Sequence, residues 1–159
     1  MTIDYIKNLT TLYSSLGYRP YQWIENPDPP PFIALKKPLS QIRLGLIASG
    51  GIYVTGQTAF HYKDDASFRT IAKDVKTEDL RVTHFAYDLT DARKDPNSVF
   101  PIDTLRHLVG EGFIGELADH LFTFMGGIYS ARKVQDDLAP RLTQHLIDEK
   151  VDAVLLVPV

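Results

Sequence analysis

The chain has 159 residues, of which 44% are hydrophobic and 23% are charged, as in an average globular domain. A net charge of -3 at pH 7 and scattered Lys and Arg argue against nucleic acid or an anionic membrane as a partner. No apolar run approaches the ~20 residues of a membrane span, and the N-terminus lacks a secretory signal, so we expect a cytoplasmic protein. The absence of cysteine excludes disulfides, thiolate metal sites and thiol chemistry from these residues.

The first 40 residues predict a short helix followed by a proline-rich arm. Five apolar residues recur at helical spacing: Ile3, Ile6, Leu9, Leu12 and Leu16. Thr2 is the expected N-cap, and Gly17 is the expected residue after the C-cap. Four prolines in the five positions 27–31 favour an extended, polyproline-like arm. We therefore divide the chain into a helix and arm (1–40) and an α/β domain (41–159).

Strand and helix patterns alternate after residue 40. Short apolar runs predict strands at IRLGLIAS (42–49), LRVTHFAYD (80–88), DHLFTFMGG (119–127) and VDAVLLVPV (151–159). Apolar spacing predicts one helix after Pro101 and another over 134–146, with a kink or restart at Pro140. This alternation predicts an α/β fold of Rossmann or flavodoxin type, with a mainly parallel sheet and helices on both faces. The final run predicts a strand buried on both faces of that sheet.

The glycine pair in LIASGGIYVTGQ raises the question of a nucleotide site. A phosphate-binding loop needs a helix directly behind its glycines, whereas the sequence IYV here continues as a strand. Neither GxGxxG nor GxxxxGK[ST] is present. We interpret Gly50 and Gly51 as a tight turn that lets the backbone approach a ligand.

The loop TAFHYKDDASFR follows the first strand and is expected over the carboxyl edge of the sheet, where ligands bind in open α/β folds. Its ionisable residues are His61, Asp64, Asp65 and Arg69. Arg69 is a candidate for holding a substrate carboxylate through its two-pronged guanidinium. The alternative is a solvated polar loop with an incidental ion pair.

The densest polar stretch is THFAYDLTDARKDPNSVFP, at the end of the second predicted strand. Its polar members are His84, Tyr87, Asp88, Asp91, Asp95 and Asn97. The spacing matches no calcium loop or HExxH zinc motif, so we predict no metal site. His84 is the best candidate for acid-base chemistry or substrate orientation, because an imidazole titrates near neutral pH. The alternative is that the Asp and Asn residues build Asx-turns that shape the loop.

Several stretches resemble one known family, in the same order along the chain. They are KPLSQIRLGLIASGGIYVTGQTAF, SFRTIA, the segment THFAYDLTDARKDPNSVFPIDTLRHLVGEGFIGELADHLFTFMGG and VDAVLLVPV. The arrangement HxxYDxxDAxxDxNxVFP is the specific part of the match. The chain resembles the selenoprotein B family, which contains the substrate-specific subunits of glycine, sarcosine and betaine reductases and the matching subunit of D-proline reductase.

The resemblance implies a reductase that cleaves a C–N bond of an amino acid or related amine. In that family, selenocysteine or cysteine directly follows the strand that VDAVLLVPV resembles, and a pyruvoyl group on a partner subunit holds the substrate amine. We expect the nucleophile immediately after Val159, at a UGA codon read as a stop, and these 159 residues to be inactive without it. A selenolate or thiolate suits this step because it is ionised near neutral pH and strongly nucleophilic.

The candidate substrate-binding residues are Gly50, Gly51, His61, Arg69, Tyr87, Asp88, Asp95 and Asn97, with His84 as the acid-base candidate. A competing hypothesis is a non-catalytic α/β protein that binds a small ligand or acts as a scaffold. The terminal strand also offers an edge for pairing, so a homodimer is expected to be possible.

Overall fold

The computed structural model describes residues 4–20 and 24–159. The chain divides into two compact units, Met1–Phe32 and Ile33–Val159, which we describe separately. The domain boundary predicted at residue 40 stays a prediction.

The first unit contains one helix, α1 (Tyr5–Ser15). The side chain of Asp4 caps α1 by accepting a hydrogen bond of 3.1 Å from the backbone N–H of Lys7. Gly17 follows the C-cap in the left-handed region, with φ of 83°, as predicted. The predicted cap Thr2 and the apolar residue Ile3 lie outside the described residues. Residues 27–31 form neither helix nor strand, and the polyproline-like arm stays a prediction.

The second unit is built on a mixed, mostly parallel sheet. Its strands are β1 (Arg43–Ala48), β3 (Phe68–Ala72), β5 (Glu116–Leu117), β6 (His120–Phe124) and β7 (Ala153–Val157). Strand β1 is central and pairs in parallel with β5 and β6 on one side and with β7 on the other. Strand β3 pairs antiparallel with β6. Two further strands, β2 (Ile52–Val54) and β4 (Leu80–Val82), form a separate antiparallel pair.

Helices follow the strands in the second unit. They are α2 (Thr90–Lys94), α3 (Ile102–Gly110), α4 (Ala131–Lys133) and α5 (Ala139–Asp148). The sequence pattern predicts α3 and α5, whereas α2 lies in a stretch predicted as a polar loop. Helix α3 begins directly after Pro101, and a π-helical segment, Val134–Leu138, joins α4 to α5. Pro140 closely follows this π-helical segment, so it lies where the regular α-helical hydrogen-bond pattern is interrupted and then resumes. The predicted restart at this proline is therefore confirmed.

The core lies on both faces of the sheet because the side chains of β1 alternate. Leu44 and Leu46 pack in the larger apolar cluster, with Leu105 of α3. Ile47 packs on the other side, in a smaller cluster with Leu138 and Leu142. This two-residue period is the expected geometry of a strand covered on both faces. The α/β class with a mainly parallel sheet is confirmed, while the Rossmann or flavodoxin type stays a prediction.

One strand prediction and one loop prediction differ from the structure in their bounds. The second predicted strand, 80–88, is wrong beyond Val82. The N–H of Thr83 still bonds to Gly51, but the N–H of Ala86 bonds to the ring of His84 and not to a neighbouring strand. The predicted loop 58–69 ends earlier than expected, since β3 begins at Phe68 and includes Arg69.

The prediction that the last strand is buried on both faces is wrong. Val154, Leu155 and Leu156 are 36%, 37% and 65% exposed. Within residues 4–20 and 24–159, β7 pairs with β1 alone, so it is an edge strand. An apolar run indicates that a strand tends to be buried. Which neighbouring elements cover that strand depends on the rest of the sheet.

Candidate functional site

Three parallel strands end together at the carboxyl edge of the main sheet, and Ser49 joins their ends. Its backbone N–H donates to the carbonyl of Val157, the last residue of β7, at 3.0 Å. Its carbonyl accepts from the N–H of Gly126, which follows β6, at 3.0 Å. Its Oγ accepts from the N–H of Val159 at 3.0 Å. This edge is where open α/β sheets place their ligands.

The predicted turn at Gly50 and Gly51 links the segment that contains Thr83 to the ends of these strands. Gly51 has φ of 72°, in the region that favours glycine. Its N–H donates to Phe124 at 3.1 Å, and its carbonyl accepts from the N–H of Thr83 at 2.9 Å. A Cβ atom on Gly51 would lie 1.8 Å from the carbonyl oxygen of Thr83. The close backbone approach predicted here is thus made with the chain itself, and a ligand role for Gly50 and Gly51 stays a prediction.

His84 is held in the segment that Gly51 positions, and only 4% of its surface is exposed. Its Nδ1 accepts a hydrogen bond from the N–H of Ala86 at 2.9 Å. The ring stacks on Phe85 and lies 4.7 Å, centroid to centroid, from the ring of Tyr87. Burial lowers the pKa of His84, which favours the neutral imidazole. In the described part of the chain, Nε2 is buried without a hydrogen-bond partner.

Tyr87 connects this segment to the glycine turn. Its hydroxyl donates to the carbonyl of Gly50 at 2.9 Å. Burial raises the pKa of the Tyr87 phenol, so the hydroxyl stays protonated and able to donate near neutral pH.

We predict that Tyr87→Phe lowers the free energy of unfolding by about 1 kcal/mol, because a partly buried hydrogen bond is lost while the ring is kept. Urea unfolding of the variant and the parent chain measures this difference. The exposed Tyr62→Phe is the matched control, with a change within about 0.5 kcal/mol. Equal effects of the two substitutions would contradict the assigned role of the Tyr87 hydroxyl.

The acidic and amide residues after Tyr87 shape their own loop. Asp88 accepts from the backbone N–H of Thr90 at 2.9 Å and from its hydroxyl at 2.7 Å, and these bonds lower the pKa of Asp88. Asp95 accepts from the N–H of Asn97 at 3.0 Å, and Asn97 accepts from the N–H of Asp103 at the start of α3. Both aspartates therefore form Asx-turns, the alternative that the sequence left open. A role of Asp88, Asp95 or Asn97 in binding substrate stays a prediction.

Arg69 lies at the carboxyl edge, as expected, since its neighbour Phe68 pairs with Phe124 at the end of β6. Its guanidinium already donates to the carbonyls of Thr58 and Ala59, at 2.7 and 3.3 Å. It also lies 4.3 Å above the ring of Phe60. A substrate carboxylate would have to replace some of these contacts, and the clamp stays a prediction.

His61 is exposed in the same loop. Its Nδ1 accepts from the N–H of Lys63 at 3.2 Å, and its own N–H donates to Asp65 at 2.8 Å. Asp64 instead pairs with Lys133 at 2.9 Å, which lowers the pKa of that carboxyl. These contacts fix the loop, and a substrate role for His61 stays a prediction.

The described residues contain neither a cluster of metal-ligating side chains nor a helix able to span a membrane. No group of three or more His, Asp or Glu residues there is arranged to hold a metal ion. None of the helices in the same residues has the length and apolar character needed to cross a bilayer.

Comparison of the sequence with known protein families identifies the family of this chain. Residues 28–159 match the model of glycine/sarcosine/betaine reductase selenoprotein B. The chain belongs to this selenoprotein B family. No solved structure matches it.

Three relatives illustrate the range of the selenoprotein B family. The chain is 38% identical to D-proline reductase subunit gamma of Acetoanaerobium sticklandii, over 80% of this chain and 53% of the relative. It is 31% identical to glycine reductase complex component B subunit gamma of Symbiobacterium thermophilum, over 82% and 30%. It is 30% identical to sarcosine reductase complex component B subunit beta of Peptoclostridium acidaminophilum, over 80% and 30%. The chain thus spans about half, or less, of the length of these relatives.

A charged pocket with a volume of about 700 Å³ lies at the opposite edge of the main sheet, where its parallel strands begin. The sequence analysis did not predict this pocket. At its centre, Arg43 bonds to Asp119 at 2.7 Å, to Glu116 at 3.1 Å and to Glu149 at 3.2 Å. Arg43 and Glu149 are largely buried, with side chains 18% and 15% exposed. A signal was present, because Arg43, Glu116, His120 and Asp152 each begin or directly precede a strand of the parallel sheet.

Proposed function

We propose that residues 33–159 form the substrate-site portion of a selenoprotein B-type reductase, which cleaves a C–N bond of an amino acid or related amine reductively. The nucleophile would be a selenocysteine or cysteine directly after Val159. The observation that carries this proposal is the hydrogen bond of 3.0 Å from the N–H of Val159 to Ser49. A residue attached to Val159 would leave the sheet beside Ser49 and the glycine turn, at the edge where His84 is buried.

The chemistry requires a nucleophile at this edge. A selenolate or thiolate would use its electron pair to form a bond to the α-carbon as the C–N bond breaks, and the bonding electrons of C–N would leave with the nitrogen, which takes up a proton. By resemblance, a pyruvoyl group on a partner subunit would hold the substrate amine. That group belongs to the partner, so we assign none of the residues described here to hold it.

The partners we propose are a small amino acid or amine, the pyruvoyl-containing subunit and, through the edge strand β7, a second copy of the chain. The curated relatives are named as subunits of reductases or reductase complexes, which supports a role within an assembly. We propose the cytoplasm as the location.

Sequencing the gene through the codon after Val159 is the first test. A UGA codon followed by an in-frame motif with cysteine and histidine is the expected result. An ordinary stop codon with no downstream frame would favour the non-catalytic binding or scaffolding protein.

The functional prediction is that the extended protein, with selenocysteine or cysteine after Val159 and with its pyruvoyl-containing partner, reduces at least one of D-proline, glycine, sarcosine and betaine. The assay follows substrate loss and product formation with a dithiol as the reductant. Serine in place of the nucleophile is expected to lower kcat/KM about a thousandfold or more, because a hydroxyl is hardly ionised at neutral pH. An assembled, folded complex that turns over none of the four compounds would contradict this proposal.

A further inference from the structure

The two ring nitrogens of His84 have different surroundings. Nδ1 accepts a hydrogen bond of 2.9 Å from the backbone N–H of Ala86. Because a backbone N–H only donates, Nδ1 must present a lone pair and carry no proton. In a neutral imidazole the single proton then lies on Nε2.

Nε2 is buried, and no residue in the ranges 4–20 and 24–159 bonds to it. Buried polar groups are nearly always hydrogen-bonded, so an unpaired one calls for a missing partner. Nε2 lies beside Gly126, which has no side chain to cover it. A Cβ atom built on Gly126 would lie 3.4 Å from Nε2, 3.5 Å from the carbonyl oxygen of Ser49 and 3.7 Å from the Cβ of Ser49.

Ser49 carries a second donor next to Gly126. Its Oγ accepts from the N–H of Val159, which leaves the proton of its hydroxyl available to donate. In the described ranges, no carboxylate hydrogen-bonds to the His84 ring. The nearby carbonyl oxygen of Ser49 already accepts from the N–H of Gly126. The two proton donors therefore favour an anionic partner, since hydrogen bonds to a charged group are the stronger ones.

We propose that His84 is fixed as the Nε2–H tautomer and donates from Nε2 to an anion, a carboxylate or a chalcogenolate, that enters beside Ser49, Gly126 and the end of β7. His84 is then a hydrogen-bond donor and not a general base, because its basic nitrogen is occupied by the N–H of Ala86. Which anion enters rests on the proposed function, whereas the tautomer does not.

The tautomer is tested on the 159-residue chain at pH 7.5 by nitrogen NMR with ¹⁵N-labelled histidine. The expected result is a pyrrole-like Nε2 and a pyridine-like Nδ1 for His84. The signals are assigned by their loss in His84→Gln or, if that variant does not fold, by through-bond correlation to the backbone. A proton on Nδ1, an imidazolium or a mixture of tautomers would overturn the proposal.

The acceptor is tested with two probes. Acetate is titrated into the 159-residue chain against chloride at equal ionic strength, and a saturable shift of the His84 Nε2 signal identifies a carboxylate. A chain with Cys-Gly-Gly added after Val159 is titrated through its thiol, and a shift of Nε2 that follows thiol ionisation identifies a chalcogenolate. A shift in either arm supports the anion site and names its source. No shift in either arm means that His84 donates to water, which overturns the proposal.

Gly126→Ala provides the structural control, since its methyl group would fill the space beside Nε2. We expect Gly126→Ala to reduce the response of the His84 Nε2 signal to the effective probe by at least about fivefold. The matched variant is Gly110→Ala, whose methyl would contact nothing within 4 Å, and it should change the response less than about twofold. Neither glycine has a positive φ, so neither change strains the backbone. The tautomer measurement and the acetate titration use the 159-residue chain without a partner or a nucleophile. Their results therefore do not depend on the outcome of the reductase assay.

Discussion

Gly51→Ala is expected to lower the free energy of unfolding by at least about 4 kcal/mol, or to prevent folding altogether. The added Cβ would lie 1.8 Å from the carbonyl oxygen of Thr83, and that oxygen belongs to backbone, which has no rotamer to change. The backbone on both sides is fixed by the hydrogen bonds of Gly51 with Phe124 and Thr83. Urea unfolding followed by circular dichroism measures the loss.

Gly56→Ala is the control for Gly51→Ala. Gly56 has φ of 95°, but a Cβ there would meet no atom within 4 Å. Only the strain of a left-handed alanine is expected, about 1–2 kcal/mol. The difference between the two variants therefore isolates the steric contact with Thr83. Equal losses would mean that the Gly51 turn relaxes easily and does not fix the segment that carries His84.

The elements that sequence predicted well have strong local signals. Strands β1 and β6 are mainly apolar, and a glycine pair follows each of them after one further residue. Apolar residues recur at every fourth position through the π-helical segment and α5, across Pro140. The prediction that a strand and not a helix follows the glycine pair is confirmed, because the residues after Gly51 form strand β2. In each case the information lies within about ten consecutive residues.

The elements that sequence missed depend on distant partners. Strand β7 is exposed because, among the described residues, it has one neighbouring strand, β1. The residues VDAVLLVPV alone do not indicate how many strands will lie beside them. Strand β3, with polar Arg69 and Thr70, forms because β6 pairs with it over five positions. His84 was recognised as an imidazole after a strand, but its burial and the environment of Nε2 depend on Gly51, Gly126 and the end of β6. The charges around Arg43 come from segments up to 106 residues away and meet only when the sheet forms.

Arg43→Leu is expected to lower the free energy of unfolding by about 2 kcal/mol at pH 7. This lies between the near-zero value of an exposed ion pair and the 3–5 kcal/mol of a fully buried one, because Arg43 is largely buried while Asp119 and Glu116 are half exposed. Leucine keeps the apolar stem, so the loss reports the charge. Arg132→Leu, at an exposed position of α4, is the control and should change stability by no more than about 0.5 kcal/mol.

A double substitution separates charge from packing. If the loss in Arg43→Leu comes from leaving Glu149 buried without its cation, then adding Glu149→Gln should restore part of it. A double variant that is as unstable as the sum of the two single variants would show that Arg43 acts through packing alone.

The pH dependence of the stability lost in Arg43→Leu provides an independent test of this interpretation. Hydrogen bonds from Lys73 and then Arg43 lower the pKa of Asp119. Burial alone would raise the pKa of Glu149, but hydrogen bonds from His120, from the N–H of Asp119 and from Arg43 outweigh it and lower that pKa. A carboxyl group whose pKa is lower in the folded state contributes stability above its unfolded pKa, about 4, and loses it as the pH falls through the folded value. The difference between the parent and Arg43→Leu should therefore be full at pH 7 and shrink steadily below about pH 4. A difference that stays constant down to pH 3 would show that Arg43 does not stabilise the fold through these carboxylates.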